Sequence, residues 1–509
     1  MDYQSFVDRE KTLLISPAGY GKTHSIVECV KHTTGKQLIL THTHAGITSI
    51  KEKVKKEDVA SNRYHIETIS SFAQKYVDSF YVGTDMPDQE KSKEYHPFII
   101  EQATKILSSK IVQLTMSSTY TGIFVDEYQD CNKQQHEMIM TLGAILPLHI
   151  MGDPLQGIFD FNGEAVNIET DLAHFDKFPD LDVPNRWYQN NNNKALGDQI
   201  KAYRENLLNQ EPIVLSNNDE IGLHVYKVEE GDLFNSASDY RTKLNHIITN
   251  RRANPDLESL LIIVPEYEEI KDDGQKVNKG DINQRAKLKG QIDYTKALIL
   301  LEAIDDRSFY SLAKDADEII DGINRSHNKI KRINNSFLKK IFGATELTEW
   351  FNATGLINKR SPLDKAKTEL VSTRFEAFLI NPNGTTFHAL IMEAKKQFKL
   401  KPKRQEVFRT LMETLRQSHY GTISVLEAMK NSRNHIRRSG RKIHGKCMGT
   451  TLLTKGLEFD TVVLIDAHRF DSPEHLYVAI SRCCRKLVIF TTSFNLSPYS
   501  LPQAAKAIV

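Results

Sequence analysis

The sequence has few cysteines and no long apolar stretch. It holds five cysteines among 509 residues, none in a CxxC pair or at a Cys/His spacing that binds zinc. Neither a disulfide framework nor a zinc site is therefore expected. No apolar run approaches the roughly 18 residues that a membrane span needs, and the charged N-terminus lacks the apolar core of a signal peptide. We expect a cytoplasmic protein with no membrane partner.

An excess of one charge sign is also missing. Lys and Arg total 67 against 65 Asp and Glu, which gives a formal net charge of +2 at pH 7. Overall charge therefore does not indicate a nucleic-acid binder, and any attraction for phosphates must come from local patches. One patch is predicted between Lys395 and Lys442, where basic residues far outnumber glutamates. A solvated basic helix without a partner is the alternative.

Short apolar runs, each followed by a polar or glycine-containing loop and a helix-like stretch, indicate an α/β fold class with parallel sheets. The runs cover residues 13–16, 37–41, 122–125, 149–151, 260–264, 462–465 and 487–490. Their clustering predicts one lobe from residues 1–77 and 116–215, and a second from residues 216–304 and 441–509. Helical periodicity, as in TKALILLEAI and VFRTLMETLRQ, predicts reduced, mainly helical insertions at 78–115 and 305–440.

The segment SPAGYGKT, residues 16–23, lies between a strand-like and a helix-like stretch, which is the setting of a phosphate-binding P-loop. In such a loop, backbone N–H groups cradle phosphates at a helix N-terminus. Lys22 would neutralise the charge of the β- and γ-phosphates, and Thr23 would hold Mg²⁺. A glycine-rich strand-to-helix turn without a ligand is the alternative.

Acidic residues follow the apolar run GIFV in the segment VDEYQD, residues 125–130. Carboxylates at the carboxyl end of a parallel strand face the P-loop. Asp126 is therefore expected to hold Mg²⁺, and Glu127 to accept a proton from an attacking water. Gln129 can sense the γ-phosphate or that water. An acidic pair that merely caps a helix is the alternative.

Four further segments, taken with these two, resemble the UvrD/Rep/PcrA-like branch of the superfamily 1 helicases. They are MGDPLQGIFDFNGE at 151–164, VPNRW at 183–187, TTLLTKGLEFDTVVLID at 450–466 and YVAISRCCRKL at 477–487. The resemblance implies two RecA-like P-loop lobes that hydrolyse ATP, with Mg²⁺ as cofactor, at the interface between them.

The resemblance also assigns roles to single residues. Gln156 would link the γ-phosphate to the DNA channel, and Arg186 would contact the γ-phosphate. Arg482 would reach across the cleft and neutralise transition-state charge. For each arginine alone, a surface salt bridge is the alternative. The residues that the P-loop and the resemblance assign to nucleotide binding are Ala18, Gly19, Tyr20, Gly21, Lys22, Thr23, His24, Gly456 and Glu458.

Single-stranded or tailed DNA is the partner that the resemblance implies. The expected strand contacts are Thr41, His42, Phe159 and Phe161, with aromatic rings as stacking platforms. The segment THTHAGI departs from the family pattern, since His42 replaces an aromatic residue, and ETISSF lacks the usual Phe-His pair. Packing of both phenylalanines beneath a loop is the alternative.

Adenine recognition departs from the family as well. Asn185 stands where the family carries the tyrosine that stacks on adenine, and only Gln4 is available upstream to read the adenine edge. ATP remains the expected substrate because the phosphate-binding residues are all present.

Two functions of different classes fit these features. The first is a DNA-stimulated ATPase that acts as a single-stranded DNA translocase or 3′-to-5′ helicase. The second is a nucleotide- and DNA-gated regulatory subunit with little unwinding activity. The reduced insertions are similar to those of helicase-like subunits in anti-phage systems such as Gabija, which pair with an OLD-family nuclease. A P-loop kinase or transferase would explain the phosphate loop alone, and nothing after Asp130 favours it.

Overall fold

The computed structural model describes residues 1–89, 91–159, 164–190, 193–235, 238–249, 259–270, 276–294, 297–302, 307–321, 333–351, 361–418, 423–439 and 445–499. The chain divides into a larger unit, Met1–Leu301 with Arg437–Val509, and a smaller unit, Glu302–Ile436. None of the described helices combines the length and the hydropathy that a bilayer crossing requires.

The described strands form two six-stranded sheets and two small antiparallel pairs. They are β1 (Lys11–Ile15), β2 (Gln37–Thr41), β3 (Tyr64–Thr68), β4 (Gly122–Val125), β5 (Leu148–Gly152), β6 (Asp176–Phe178), β7 (Ile213–Val214), β8 (Leu223–Lys227), β9 (Leu260–Ile263), β10 (Glu268–Ile270), β11 (Lys276–Asn278), β12 (Ile299–Leu300), β13 (Lys446–Gly449), β14 (Phe459–Leu464), β15 (Cys483–Thr491) and β16 (Asn495–Leu496).

The described α-helices connect these strands or build the smaller unit. They are α1 (Tyr3–Val7), α2 (Lys22–His32), α3 (His44–Lys56), α4 (Ile69–Phe80), α5 (Ser92–Leu107), α6 (Lys110–Thr119), α7 (Lys133–Gly143), α8 (Ile168–Asp171), α9 (Lys194–Leu208), α10 (Asp239–Thr249), α11 (Ile282–Ile292), α12 (Arg307–Asp321), α13 (Leu338–Ile341), α14 (Ala344–Thr348), α15 (Pro362–Ile380), α16 (Gly384–Gln397), α17 (Gln405–Gln417), α18 (Val425–Ser439), α19 (Thr451–Thr454) and α20 (Pro473–Ile480).

The first sheet has the order β3-β2-β4-β5-β1-β6, and every neighbouring pair is parallel. Successive side chains of its strands enter different cores, since Leu13 and Leu38 pack on one face while Leu14 and Ile39 pack on the other. This two-sided burial explains why the strands are continuous apolar runs. Helices cover both faces, as in other parallel sheets.

The second sheet has the order β12-β13-β9-β14-β15-β8 and is also parallel throughout. Leu261 and Val462 pack on one face, whereas Ile262 and Val463 pack on the other. The predicted α/β class, with two parallel-sheet lobes and helical additions, is therefore confirmed.

The segment TKALILLEAI was predicted to be helical, and that prediction is wrong where the structure describes it. Ile299 and Leu300 form strand β12, which pairs with Cys447 and Met448 of β13 at one edge of the second sheet. A short apolar run carries too few residues to separate helical from strand periodicity. These residues form a strand because the edge of β13 is available for pairing, and only the tertiary fold reveals that edge.

The smaller unit is helical in the described residues and has its own aromatic core, which includes Phe337, Phe378 and Phe387. The segment VFRTLMETLRQ lies in α17, as its periodicity predicted. Two arginines of the predicted basic patch are used inside this unit. Arg404 Nε lies 3.1 Å from Glu302 Oε2, and the buried guanidinium of Arg433 lies 4.6 Å from the ring centre of Tyr310.

Candidate active site

A glycine-containing loop joins the end of β1 to the start of α2. It runs from Ser16 to Gly21, and Lys22 is the first residue of the helix. Gly19 and Gly21 have φ angles of +81° and +109°, a region that residues with a Cβ rarely adopt. A Cβ on Gly19 would also lie 2.7 Å from Cζ3 of Trp187. The turn therefore requires glycine, and it wraps the backbone around the N-terminus of α2, where anions bind.

Two carboxylates at the end of β4 meet the lysine of this loop. Lys22 Nζ lies 2.8 Å from Glu127 Oε2 and 3.5 Å from Asp126 Oδ1. Both Lys22 and Asp126 are buried. Glu127 adopts a φ angle of +57°, and such backbone strain in a residue other than glycine is concentrated at functional sites.

These charges shift one another's pKa values. Burial lowers the pKa of Lys22, but the Glu127 and Asp126 carboxylates outweigh burial and raise it above its ordinary value. Burial raises the pKa of Asp126 to about 6, against the opposing effect of Lys22. Burial also acts to raise the pKa of Glu127, yet Lys22 and Lys455 hold it well below its usual range. Lys22 and Glu127 therefore form the ion pair of the cluster.

Gln129 fixes the position of Glu127. Its side-chain Nε2 donates to Glu127 Oε2 at 2.5 Å, and its Oε1 accepts from the backbone N–H of Asp153 at 2.9 Å. Asp153 follows β5 and is itself held by Arg204 at 2.9 Å. The glutamine thus ties the carboxylate at the end of β4 to the end of the neighbouring strand.

Arg482 comes from the other sheet, between α20 and β15. Its Nη2 lies 3.1 Å from Gln156 Oε1, and its Nε donates to the backbone oxygen of Val478 at 2.9 Å. Burial and the nearby Arg186 lower the pKa of Arg482 to about 10. At neutral pH the guanidinium is charged, buried and directed towards the residues of the first sheet.

Arg186 and Glu458 form a second bridge at this boundary. Arg186 Nη2 lies 2.8 Å from Glu458 Oε1, and Nη1 donates to the backbone oxygen of Ser481. The Arg186 guanidinium holds the pKa of Glu458 at about 2. Trp187, the next residue, donates from Nε1 to the backbone oxygen of Cys483 at 3.1 Å. The segment VPNRW is therefore anchored to the second sheet.

A cavity of 490 Å³ separates these groups. Predicted site residues that line it are Ala18, Gly19, Gly21, Lys22, Thr23, His24, Glu127, Gln156, Arg186, Gly456, Glu458 and Arg482. Its lining also includes Tyr3, Lys53 and Asn185, for which no nucleotide contact was predicted. The P-loop and both predicted arginines thus face a single space.

Four predicted residues lie behind the lining of this cavity or outside it. Asp126 and Gln129 contact its wall through Lys22 and Glu127. Tyr20 is buried, and its backbone oxygen accepts from Asn185 Nδ2 at 2.9 Å. Asn185 therefore supports the P-loop. Gln4 donates to Asp8 at 2.7 Å on an exposed helix and does not line the cavity.

Two site residues of the second lobe were not predicted from the sequence. Lys455 is buried and donates both to Asp130 and to the backbone oxygen of Gln156. Tyr477 accepts through its hydroxyl from the backbone N–H of Ala18 at 3.1 Å. Both belong to segments already singled out, TKGLE and YVAISR, so their neighbourhood was a signal. Asp130 and Ala18, the partners of these two side chains, lie more than 300 positions away in the chain, and only the fold reveals them.

The residues at the end of β4 suit a magnesium ion held together with phosphates. Magnesium in nucleotide sites takes one or two carboxylates and fills its other positions with water and phosphate oxygens. Asp126 is a buried carboxylate within 3.5 Å of the P-loop lysine, and Thr23 is the second residue of α2. Among the residues that the structure describes, no three His, Cys, Asp or Glu side chains form a metal site on their own.

The residues predicted to contact single-stranded DNA differ in how buried they are. Thr41 is fully buried at the end of β2. His42 Nε2 lies 3.1 Å from Cys131 Sγ, and burial, with help from Lys455, lowers the His42 pKa to about 3. Phe159 is partly buried, and Phe161 lies outside the described residues.

Phe159 borders a second cavity, of 340 Å³. Lys455 Nζ lies 5.2 Å from the centre of its ring. The other described lining residues are Ile158, Glu266, Asn278, Leu452, Phe470, Asp471 and His475. Residues of both lobes therefore border this cavity too.

Comparison with known proteins agrees with the motifs. Residues 88–176 match the family model of the UvrD/REP helicase N-terminal domain, a stretch that includes β4, β5, Glu127 and Gln156. The predicted likeness to UvrD-like superfamily 1 helicases is thereby confirmed. No curated protein sequence shows significant similarity to the chain.

Solved structures similar to the chain include the arterivirus nonstructural protein 10 helicase, both in complex with DNA and alone. The complex shares 15% identity over 50% of this chain and 47% of its own, with a TM-score of 0.26. The structure without DNA shares 16% identity over 52% and 48%, with a TM-score of 0.27. The chain thus spans about half the length of these structures.

Proposed function

We propose, from the likeness to UvrD-like superfamily 1 helicases, that this chain is a DNA-stimulated ATPase that moves along single-stranded DNA in the 3′-to-5′ direction. The observation that carries the proposal is the cavity between the two sheets. Lys22 and Glu127 border it from the first sheet, and Arg482 borders it from the second. A triphosphate bound there would join the two lobes, and its hydrolysis would release them.

Each group has a distinct role in this proposal. Lys22 and the P-loop backbone hold the β- and γ-phosphates, and Thr23 and Asp126 hold Mg²⁺, which would neutralise phosphate charge when bound. Glu127 accepts a proton from the attacking water, because its low pKa keeps it ionised. Gln129 keeps the Glu127 carboxylate in place through its 2.5 Å hydrogen bond.

The two arginines supply positive charge from the opposite wall of the cavity. Arg482 would stabilise the charge that develops on the γ-phosphoryl group, a contribution of about 10³ to 10⁵ in rate in related phosphoryl transfers. Arg186 already pairs with Glu458 at 2.8 Å. An incoming phosphate would compete with Glu458 for that guanidinium.

A short series of contacts connects the nucleotide cavity to Phe159. Arg482 contacts the side chain of Gln156, and the backbone oxygen of Gln156 accepts from Lys455. Lys455 in turn lies over the Phe159 ring. A base stacked on Phe159 would therefore contact the loop whose Gln156 contacts Arg482. This connection supports stimulation of hydrolysis by DNA.

The test compares ATP hydrolysis by the whole chain with and without single-stranded DNA, followed by strand displacement on a tailed duplex. We expect stimulation by DNA, and loss of hydrolysis in Glu127→Gln by a factor of about 10² to 10⁴ with nucleotide binding retained. Glu57→Gln is a matched control, because Glu57 also lines the cavity but pairs with Lys31 at 2.7 Å. Full hydrolysis by Glu127→Gln would refute the proposal.

A second candidate is a nucleotide- and DNA-gated regulatory subunit with little unwinding activity. The burial of Thr41 and the engagement of His42 with Cys131 favour it, because both side chains are turned towards the protein interior. Stimulation of hydrolysis by DNA without strand displacement would support this function. Displacement of the tailed strand would exclude it.

A further inference from the structure

Helix α15 carries apolar residues on two opposite faces. Val371, Phe375 and Phe378 belong to the core of the smaller unit. On the opposite face, Leu363 is 80% exposed and Ile380 is 84% exposed. A lone surface leucine needs no explanation. Large aliphatic residues aligned along one side of a helix do, since they mark a surface that is covered in use.

The exposed residues of this face follow a heptad pattern. They are Leu363, Ala366, Leu370, Thr373, Ala377 and Ile380, all exposed and separated by alternating steps of three and four positions. We call this set the α15 stripe. The spacing is that of helices paired in a left-handed coiled coil, in which such residues form the seam. The most suitable partner is therefore another helix with the same spacing.

The charges beside the α15 stripe differ on its two flanks. Glu369 and Glu376 lie on one flank, and Lys367 and Arg374 lie on the other. In a parallel, in-register pair, a residue before one seam position faces the residue five positions later in the second helix. Glu369 then faces Arg374 of the partner subunit, and two-fold symmetry repeats the pair.

In an antiparallel pair, the flanks of like charge on the two helices would face each other. Glu369 would face acidic residues, and Lys367 would face basic ones, which is unfavourable on both sides. The charge pattern is thus complementary to a second copy of the same helix in the parallel orientation.

We propose that this chain forms a parallel, two-fold symmetric dimer through the α15 stripe. The flanking charges are available for it. Arg374 Nε is 3.8 Å from Glu393 Oε2, and Lys367 Nζ is 3.5 Å from Asp364 Oδ1. The two basic side chains are 53% and 41% exposed, and ion pairs of exposed basic groups contribute little.

The dimer is expected to be weak. α15 has 19 residues and is about 28 Å long, and half of the stripe consists of alanine and threonine. Interfaces of this size, below about 1,200 Å², belong to concentration-dependent complexes. None of these residues lines the nucleotide cavity, so the inference does not depend on the proposed function.

The first test is sedimentation equilibrium of the full chain from about 1 to about 100 µM. We expect a reversible dimer, and Leu370→Glu should raise its dissociation constant about tenfold or more, because it places a carboxylate in the seam of both copies. Leu379→Glu changes an exposed leucine of the same helix outside the stripe and should leave the constant unchanged. Both variants should remain folded, because Leu370 is 52% exposed and Leu379 is 38% exposed, and a melting curve of each variant checks this.

A chain that remains monomeric at the highest concentration would overturn the proposal. So would equal behaviour of Leu370→Glu and Leu379→Glu, which would locate any self-association elsewhere or assign the stripe to another segment of the same chain.

The second test examines the orientation. Glu369→Arg should weaken the dimer, and adding Arg374→Glu should restore it. On oxidation, two copies of Leu363→Cys should form a disulfide with each other, and so should two copies of Ile380→Cys. The five native cysteines are buried and should not interfere. Cross-linking only in a mixture of these two variants would indicate antiparallel helices and overturn the parallel arrangement.

Discussion

The guanidinium of Arg482 lies 3.1 Å from the side-chain oxygen of Gln156, although Gln156 follows β5 of the first sheet and Arg482 precedes β15 of the second. The amide nitrogen of Gln156 donates to Asp153 at 3.0 Å. The glutamine is therefore oriented by its own lobe and presents its acceptor to the arginine of the other. Both residues line the same cavity as the P-loop.

Removal of the Arg482 guanidinium should abolish turnover while nucleotide binding persists. In Arg482→Ala we expect hydrolysis to fall by about 10³ or more, with the affinity for ATP changed by less than about tenfold, because the P-loop and Lys22 are untouched. Steady-state kinetics and equilibrium binding would measure both quantities. Arg469→Ala is the matched control, since Arg469 pairs with Glu230 on an exposed surface. Equal losses in the two variants would contradict the assigned role.

Lys455→Met should destabilise the fold. The substitution removes the buried partner of Asp130, and an uncompensated buried charge typically costs about 3 to 5 kcal/mol. The free energy of unfolding in urea gives the measurement. The double variant Lys455→Met with Asp130→Asn should recover part of the loss, because the amide needs no counter-charge. A Lys455→Met variant as stable as the parent would show that the pair is unimportant for stability.

Gly19→Ala should impair nucleotide binding far more than Gly231→Ala. The two glycines share nearly the same φ, +81° and +82°, so a Cβ meets a similar backbone penalty at both. Only at Gly19 does the new atom collide with Trp187, whereas nothing lies within 4 Å at Gly231. Titration with a fluorescent ATP analogue would compare them. Similar affinities would mean that the loop tolerates the displacement.

Stability should decline in mild acid because of His149. Its ring accepts or donates a hydrogen bond with Thr12 at 2.8 Å, and burial lowers the His149 pKa to about 4. Between that value and the unfolded pKa of about 6.5, the unfolded chain binds the proton more readily. Stability is thus complete above about pH 6.5 and falls by about 3 kcal/mol as the pH drops to about 4.

Urea denaturation at several pH values would measure this effect. His149→Gln should lose the part of the slope that lies between those two pKa values. An unchanged slope in the variant would assign the acid sensitivity to other groups.

The sequence predicted the strands of each lobe better than the contacts between the lobes. The strand before the P-loop, the acidic residues after β4 and the apolar runs of both sheets are local patterns, and local patterns determine strands and turns. The role of Lys455 depends on Asp130, which is distant in the chain. Likewise, the pairing of His42 with Cys131 depends on the packing of two loops. No spacing within a single segment encodes such contacts.

The order of strands in the second sheet constrains how the protein can be made. In the sheet, β8, β9 and β12 are never neighbours, and each is bordered by β13, β14 or β15 from the far end of the chain. A nascent chain that emerges from the ribosome therefore cannot pair its early strands with one another in the native arrangement. Assembly of this lobe must wait until β15 has been synthesised, so Arg482 and the sheet that carries it become available in the same late step.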